Sequence, residues 1–268
     1  MTLDYAAMAK TAVQSQEKNN HIFDEGETLC VLVPFQRDGD DHPSTRGRAW
    51  VSVAMHGGKI GKKEDGVGRS AMSYDPNVNP LIDNPHMRAA LPFDPPTPCP
   101  IAKYIRENLS SKDAKGAQAK DQFAWVIVPL WHRRRPGKGE FENIYTKPKY
   151  IIAKEGNRKN PHIQAGIYKL LGDGEGPKLF DPENPALVSF EREGREFNDT
   201  TYKLKMADGD NATAVLTDEL KADIADATRP GGYCDLFTVL AEKFAPSPSE
   251  INEKLYGIPA ESPEGMEE

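Results

Sequence analysis

Three cysteines, Cys30, Cys99 and Cys234, are too few, too widely spaced and odd in number for a secreted disulfide framework. No apolar run of about 18 residues or more is present, which argues against a membrane-spanning helix. The first residues also lack the basic-then-apolar pattern of a secretory signal. These absences predict a soluble protein of the cytoplasm. Catalytic signatures are just as sparse. GDGEG at 172–176 and GGKIGKK at 57–63 have the glycines of a phosphate loop without the following Lys-Ser/Thr. Asp208-Gly209-Asp210-Asn211 lacks the spacing and closing Glu of a calcium loop. The six histidines are scattered, and no nucleophile stands in a recognisable arrangement with a base. The sequence therefore reads as a protein that is not an enzyme and uses no cofactor or metal.

What is present is charge, unevenly placed. The total of −7 and pI of about 5.5 would argue against a polyanionic partner. Residues 31–170, however, carry 23 Lys and Arg against 14 Asp and Glu, a balance of +9. Residues 171–268 carry 9 against 22, a balance of −13. The basic character is densest in 131–160, with nine cations against three acids. Aromatic residues recur through the same region: Phe123, Trp125, Trp131, Phe141, Tyr145 and Tyr150. Cations that track a phosphate backbone, beside flat rings on which unpaired bases stack, are the two requirements of a single-stranded nucleic-acid groove.

The organisation follows from local pattern. Residues 1–21 read as an N-terminal arm, 22–244 as the core, and 245–268, rich in Pro, Ser and Glu, as an acidic disordered tail. Strands are predicted at 28–35, 49–55, 123–131 and 144–153, with a strand pair at 187–192 and 200–206. Helices are predicted at 101–109, 162–171, 218–228 with Thr217 as N-cap, and 236–244. Residues 76–100 hold eight prolines, which predicts neither regular helix nor central strand. The Gly-rich basic stretch between Met55 and Tyr74 reads as a flexible loop or hairpin tip. Mainly β with short helices, an α+β chain, is the predicted class.

Candidate binding residues come from this basic, aromatic middle. Arg133, Arg134, Arg135 and Lys138 follow the strongest strand as a cationic turn, with Trp131 at the strand end as the stacking candidate. In an extended strand Tyr145, Lys147 and Lys149 share one face, which lines them along one groove wall and turns Tyr150 away toward a core. Trp125, inside an apolar run, reads as core. Arg46 and Arg48 beside Trp50, and Lys59, Lys62, Lys63 and Arg69 of the glycine-rich loop, complete the set.

These residues also carry a resemblance. His56-Gly57 after a strand, the run Cys99-Pro-Ile-Ala-Lys-Tyr-Ile105, the strand Phe123-Ala-Trp-Val-Ile-Val128 with its basic sequel, the opening segment 23–34 and the late segments 235–244 and 255–257 together resemble the T4-type bacteriophage single-stranded DNA-binding proteins. The likeness implies an oligonucleotide-binding (OB) barrel with loop and helix insertions, and binding without catalysis. That family holds zinc with one His and three Cys, two of them spaced Cys-x-x-Cys. His56 and Cys99 stand at matching places here, but Ala102 replaces the second cysteine of the pair, and two ligands do not make a structural zinc site.

The expected function is sequence-tolerant binding of single-stranded DNA in phage replication, recombination and repair, within the host cytoplasm. The acidic tail would compete for the groove and recruit replication or recombination proteins. Self-association on DNA is left open. A metal-dependent nuclease acting on single strands and an RNA-binding scaffold are the alternatives.

Overall fold

The computed structural model describes residues 23–57, 71–145, 147–154, 162–194, 200–209 and 212–256. Strands among them are β1 (Gly26–Val33), β2 (Val51–His56), β3 (Ala71–Met72), β4 (Lys120–Arg133), β5 (Glu142–Asn143), β6 (Lys149–Ala153), β7 (Val188–Glu193) and β8 (Thr201–Met206). The helices are α1 (Pro85–Ala90), α2 (Pro100–Asn108), α3 (Ser111–Ala117), α4 (Ile163–Gly172), α5 (Gly176–Leu179), α6 (Asp218–Thr228), α7 (Leu236–Phe244) and α8 (Pro248–Tyr256), with a 3-10 turn at Pro80–Asp83. No helix among the described residues is long and apolar enough to cross a membrane.

The chain forms two compact units whose segments alternate along the sequence. The first takes the described parts of residues 1–37, 47–51 and 123–236, and the second those of 38–46, 52–122 and 237–268. In the first unit the strands run β4–β1–β7–β8, all pairs antiparallel, and β5 and β6 also pair with β4. All eight residues of β1 are buried. The near-continuous apolar run TLCVLV fits a strand covered on both faces, where alternation would leave a polar row without water. One of those faces joins Cys30 and Leu32 to Phe123, Trp125, Ile127, Ile163, Ile167 and Phe190. Trp125 is core, as its apolar setting predicts. Its indole N–H donates to Gln164 Oε1 at 2.8 Å, and Trp50 stacks on its ring at 5.0 Å. Tyr150 is buried as well.

The α+β class holds. The OB barrel does not appear as a closed structure: the described ladders form an open path in which β8 pairs with β7 alone.

In the second unit β2 and β3 pair through Met55↔Met72 and His56↔Ala71. The proline-rich stretch 76–100 contains α1, contrary to the sequence reading. Pro85 occupies the first turn, where a missing N–H costs nothing. Asn84 caps it, accepting from the His86 and Met87 amides at 2.9 and 3.3 Å. The tail reading is also corrected in part. Residues 248–256 form α8, with Ile251 and Leu255 buried and Tyr256 against Tyr104 of α2. The remainder, 257–268, and the arm 1–21 lie outside the described residues.

Candidate nucleic-acid interface

The basic turn is the tip of the β4–β5 hairpin. Trp131 pairs with Asn143 and His132 with Glu142, and beyond them the chain reverses through Arg135-Pro136-Gly137-Lys138. The Lys138 amide donates to the Arg135 carbonyl at 3.1 Å, and Gly137 has φ +70°. Proline at the second position and a positive-φ glycine at the third are the requirements of a type II turn. On its other edge β4 pairs with β1, and the register slips there: Leu29 faces Trp131 while Cys30 faces Pro129. Leu130 is the extra residue of a bulge, which reverses the side-chain alternation. Trp125 and Ile127 therefore point into the core, whereas Trp131 and Arg133 share the opposite face with Leu29 and Glu27.

Glu27 organises this end of the sheet. It is 2% exposed, and every hydrogen bond it accepts is local to the hairpin or to β7. Oε2 accepts from Arg133 Nε at 2.7 Å, from a terminal guanidinium nitrogen of Arg133, and from the Gly137 amide at 3.2 Å; Oε1 accepts from Ser189 Oγ at 2.7 Å. Burial alone would raise its pKa. The bonds from Ser189, Arg133 and Gly137, with the Arg133 charge, outweigh burial and hold the carboxyl below its ordinary value. Beside it Gly26, at φ +129°, lies so close to β4 that a Cβ would fall on the Arg133 carbonyl. Arg133 is thus a fixture of the fold. Its side chain is 17% exposed, and its guanidinium pairs with Glu27 and lies 4.3 Å from the Phe141 ring centroid. Sequence reading grouped Arg133 with the exposed phosphate-contact candidates, whereas its charge is paired with Glu27.

The hairpin encloses one side of a cleft of about 530 Å³, lined by Glu27, Trp131, Arg133, Glu140, Phe141 and Asp208 among others. Trp131 is half-buried there. Arg134, Arg135 and Lys138 are exposed at the tip and make no ion pair among the described residues. Elsewhere lysines of the same unit are neutralised: Lys203 by Glu193, Lys205 by Glu191 and Lys221 by Glu183, at 2.6–2.8 Å.

The expected wall of Tyr145, Lys147 and Lys149 is not a strand face. Regular pairing ends at Asn143 and resumes at Lys149, because Pro148 has no N–H to give a ladder. Tyr145 and the exposed Lys147 lie in the intervening loop, and Lys149, half-buried, opens β6. The Tyr145 hydroxyl donates to Asp223 Oδ2 of α6 at 2.7 Å. Burial, then that bond and the nearby charges of Asp223 and Glu219, push its pKa up to about 12. The residue is 37% exposed. Arg48 lies in the first unit, half-buried, and Arg46 is exposed in the second. Lys59, Lys62, Lys63 and Arg69 lie outside the described residues. Sequence reasoning missed Glu27, Glu140 and Asp208. An acid beside the apolar run of β1 is the only local signal for Glu27, since Arg133 and Ser189 are remote in sequence.

No protein-family model and no curated protein matches this chain. The pair singled out by the resemblance does meet in the second unit. Cys99 Sγ lies 3.7 Å from His56 Nε2, and His56 Nδ1 donates to the Ala117 carbonyl at 3.2 Å. Burial lowers the His56 pKa and so favours the neutral ring, against the opposing effect of that bond. Among the described residues no group of three or more His, Cys, Asp and Glu is placed to hold a metal ion.

Proposed function

We propose that this protein binds single-stranded DNA with little regard to sequence, through the β4–β5 hairpin. The observation that carries the reading is the placement of three exposed cations without acidic partners among the described residues, Arg134, Arg135 and Lys138, on a hairpin whose flanks put Trp131 and Phe141 in an open cleft. The cations neutralise successive phosphates and release condensed counterions. The rings offer faces on which bases stack. The order of the motifs that resemble the T4-type phage proteins supports the same reading, and extends it to an OB-derived core, to binding without catalysis, and to replication, recombination and repair of phage DNA in the host cytoplasm. In that reading the segment after Tyr256 is the acidic arm that competes for the groove and recruits partner proteins.

Titration of tryptophan fluorescence with oligo(dT) tests it. Saturable quenching that weakens with added salt is the expected result, and an unresponsive signal with no anisotropy change on a labelled strand would remove the proposal. Magnesium-dependent degradation of the strand would favour the nuclease alternative, and preference for a matched RNA the scaffold alternative. Stacking makes a separate prediction. Trp131→Ala and Tyr145→Ala each weaken binding by roughly 1–3 kcal/mol, the usual loss for one base platform. Tyr145→Phe keeps the affinity, because its hydroxyl is engaged with Asp223 and only the ring is offered. Equal losses in the Phe and Ala variants would show that the hydroxyl contact, not the ring, is what matters.

A further inference from the structure

The cleft beside the hairpin is not itself basic. Arg133 is the one cation lining it among the described residues, and that guanidinium is turned to Glu27 and laid over Phe141. Both oxygens of Glu27 are already engaged, Oε1 by Ser189 and Oε2 by Arg133 and the Gly137 amide. The side-chain acceptors left available in the lining are the exposed carboxylates of Glu140 and Asp208, which accept no hydrogen bond among the described residues, and the Trp131 indole N–H is a neutral donor beside them. An ionised carboxylate can only accept. The cleft thus combines aromatic walls with free carboxylate acceptors, while the unpaired positive charge is displaced outward to Arg134, Arg135 and Lys138.

We infer, resting on the single-stranded DNA reading above, that this cleft takes one nucleobase and selects it for hydrogen-bond donors, guanine before the others. A phosphate is repelled by Glu140 and Asp208 and drawn to the tip, which orients the nucleotide with its base inward. Guanine presents N1–H and N2–H₂ side by side, a donor pair matched to the two oxygens of a carboxylate. Cytosine and adenine each offer one amino group beside a ring acceptor. Thymine flanks its single N3–H with two carbonyl oxygens, which face the carboxylates unfavourably. Each pairing of this kind discriminates by a factor of about ten. Binding remains broadly tolerant along the strand, with a preference confined to one position.

The test uses the full-length protein and short oligo(dT) strands carrying one central dG, dA or deoxyinosine, compared with unsubstituted oligo(dT) by fluorescence anisotropy at one salt concentration. The dG strand binds about tenfold more tightly than oligo(dT), inosine, which lacks the N2 amine, loses most of that gain, and dA falls between. The double variant Glu140→Gln with Asp208→Asn, confirmed folded by circular dichroism, loses the guanine advantage. Equal affinity for all four strands overturns the inference and leaves single-stranded binding standing. Equal gains for dA and dG reduce the effect to purine stacking and also overturn it, as does a guanine advantage that persists in the double variant. Absence of binding to every strand overturns the function proposed above and this inference with it. Should the double variant not fold, the inosine comparison in the unaltered protein decides alone.

Discussion

Replacing Glu27 by alanine lowers the unfolding free energy by about 3–5 kcal/mol, the cost of breaking one partner out of a buried ion pair. The carboxylate is 2% exposed and meets four donor groups: two nitrogens of Arg133, the Gly137 amide and the Ser189 hydroxyl. Its removal leaves the Arg133 side chain largely buried without a counter-charge, and leaves the buried Ser189 hydroxyl unsatisfied. Urea denaturation of the purified variant measures the effect. Unchanged stability would mean that the hairpin base is held by packing alone. Arg133→Glu is more damaging, because it sets two carboxylates against each other at the same point. The linkage to pH has a definite sign. The pKa of Glu27 is depressed in the folded state, so its contribution is fully present above its unfolded value, about 4.3–4.5, and is lost as pH falls through the lower folded value. The unaltered protein should lose stability in acid below about pH 4.5, and Glu27→Gln should flatten that part of the curve.

The second large effect is on binding. Reversing Arg134, Arg135 and Lys138 together to glutamate should abolish most affinity for single-stranded DNA while leaving the thermal transition in place, because these side chains are exposed and make no ion pair among the described residues. Three phosphate contacts contribute about −0.7 each to the slope of log K against log salt. Neutral variants at the three positions should therefore flatten that slope by about 2. A folded triple variant with an unaltered slope would move the interface away from the hairpin. Arg133 is left out of this set because its charge belongs to the fold.

Much of the framework could be read locally. The apolar runs at 28–35 and 123–131, the pair at 187–192 and 200–206, and the helix capped by Thr217 all stand where pattern placed them, because each has its own periodicity or cap. Thr217 accepts from the Leu220 amide at 3.2 Å. What could not be read depends on partners remote in sequence or on single-residue phase. Arg133 looked like its exposed neighbours because its partner, Glu27, lies 106 residues away. Trp131 faces the cleft only because Leu130 is inserted as a bulge, which no alternation pattern reveals. Tyr145, Lys147 and Lys149 read as one face until Pro148 is recognised as a break in the ladder. Pro85 looked like a helix breaker, yet with Asn84 before it the same residue begins one.

Strand β1 pairs with β4 along one edge and β7 along the other, although both partners come from far later in the chain. The consequence concerns synthesis and fragments. A polypeptide beginning after residue 33 would carry both flanking strands with an eight-residue slot between them, two facing rows of backbone donors and acceptors without their central strand. Such a fragment should associate with itself through that gap, and a synthetic peptide of residues 26–33 supplied in trans should return it to a monomer, as sedimentation of the fragment with and without peptide would reveal.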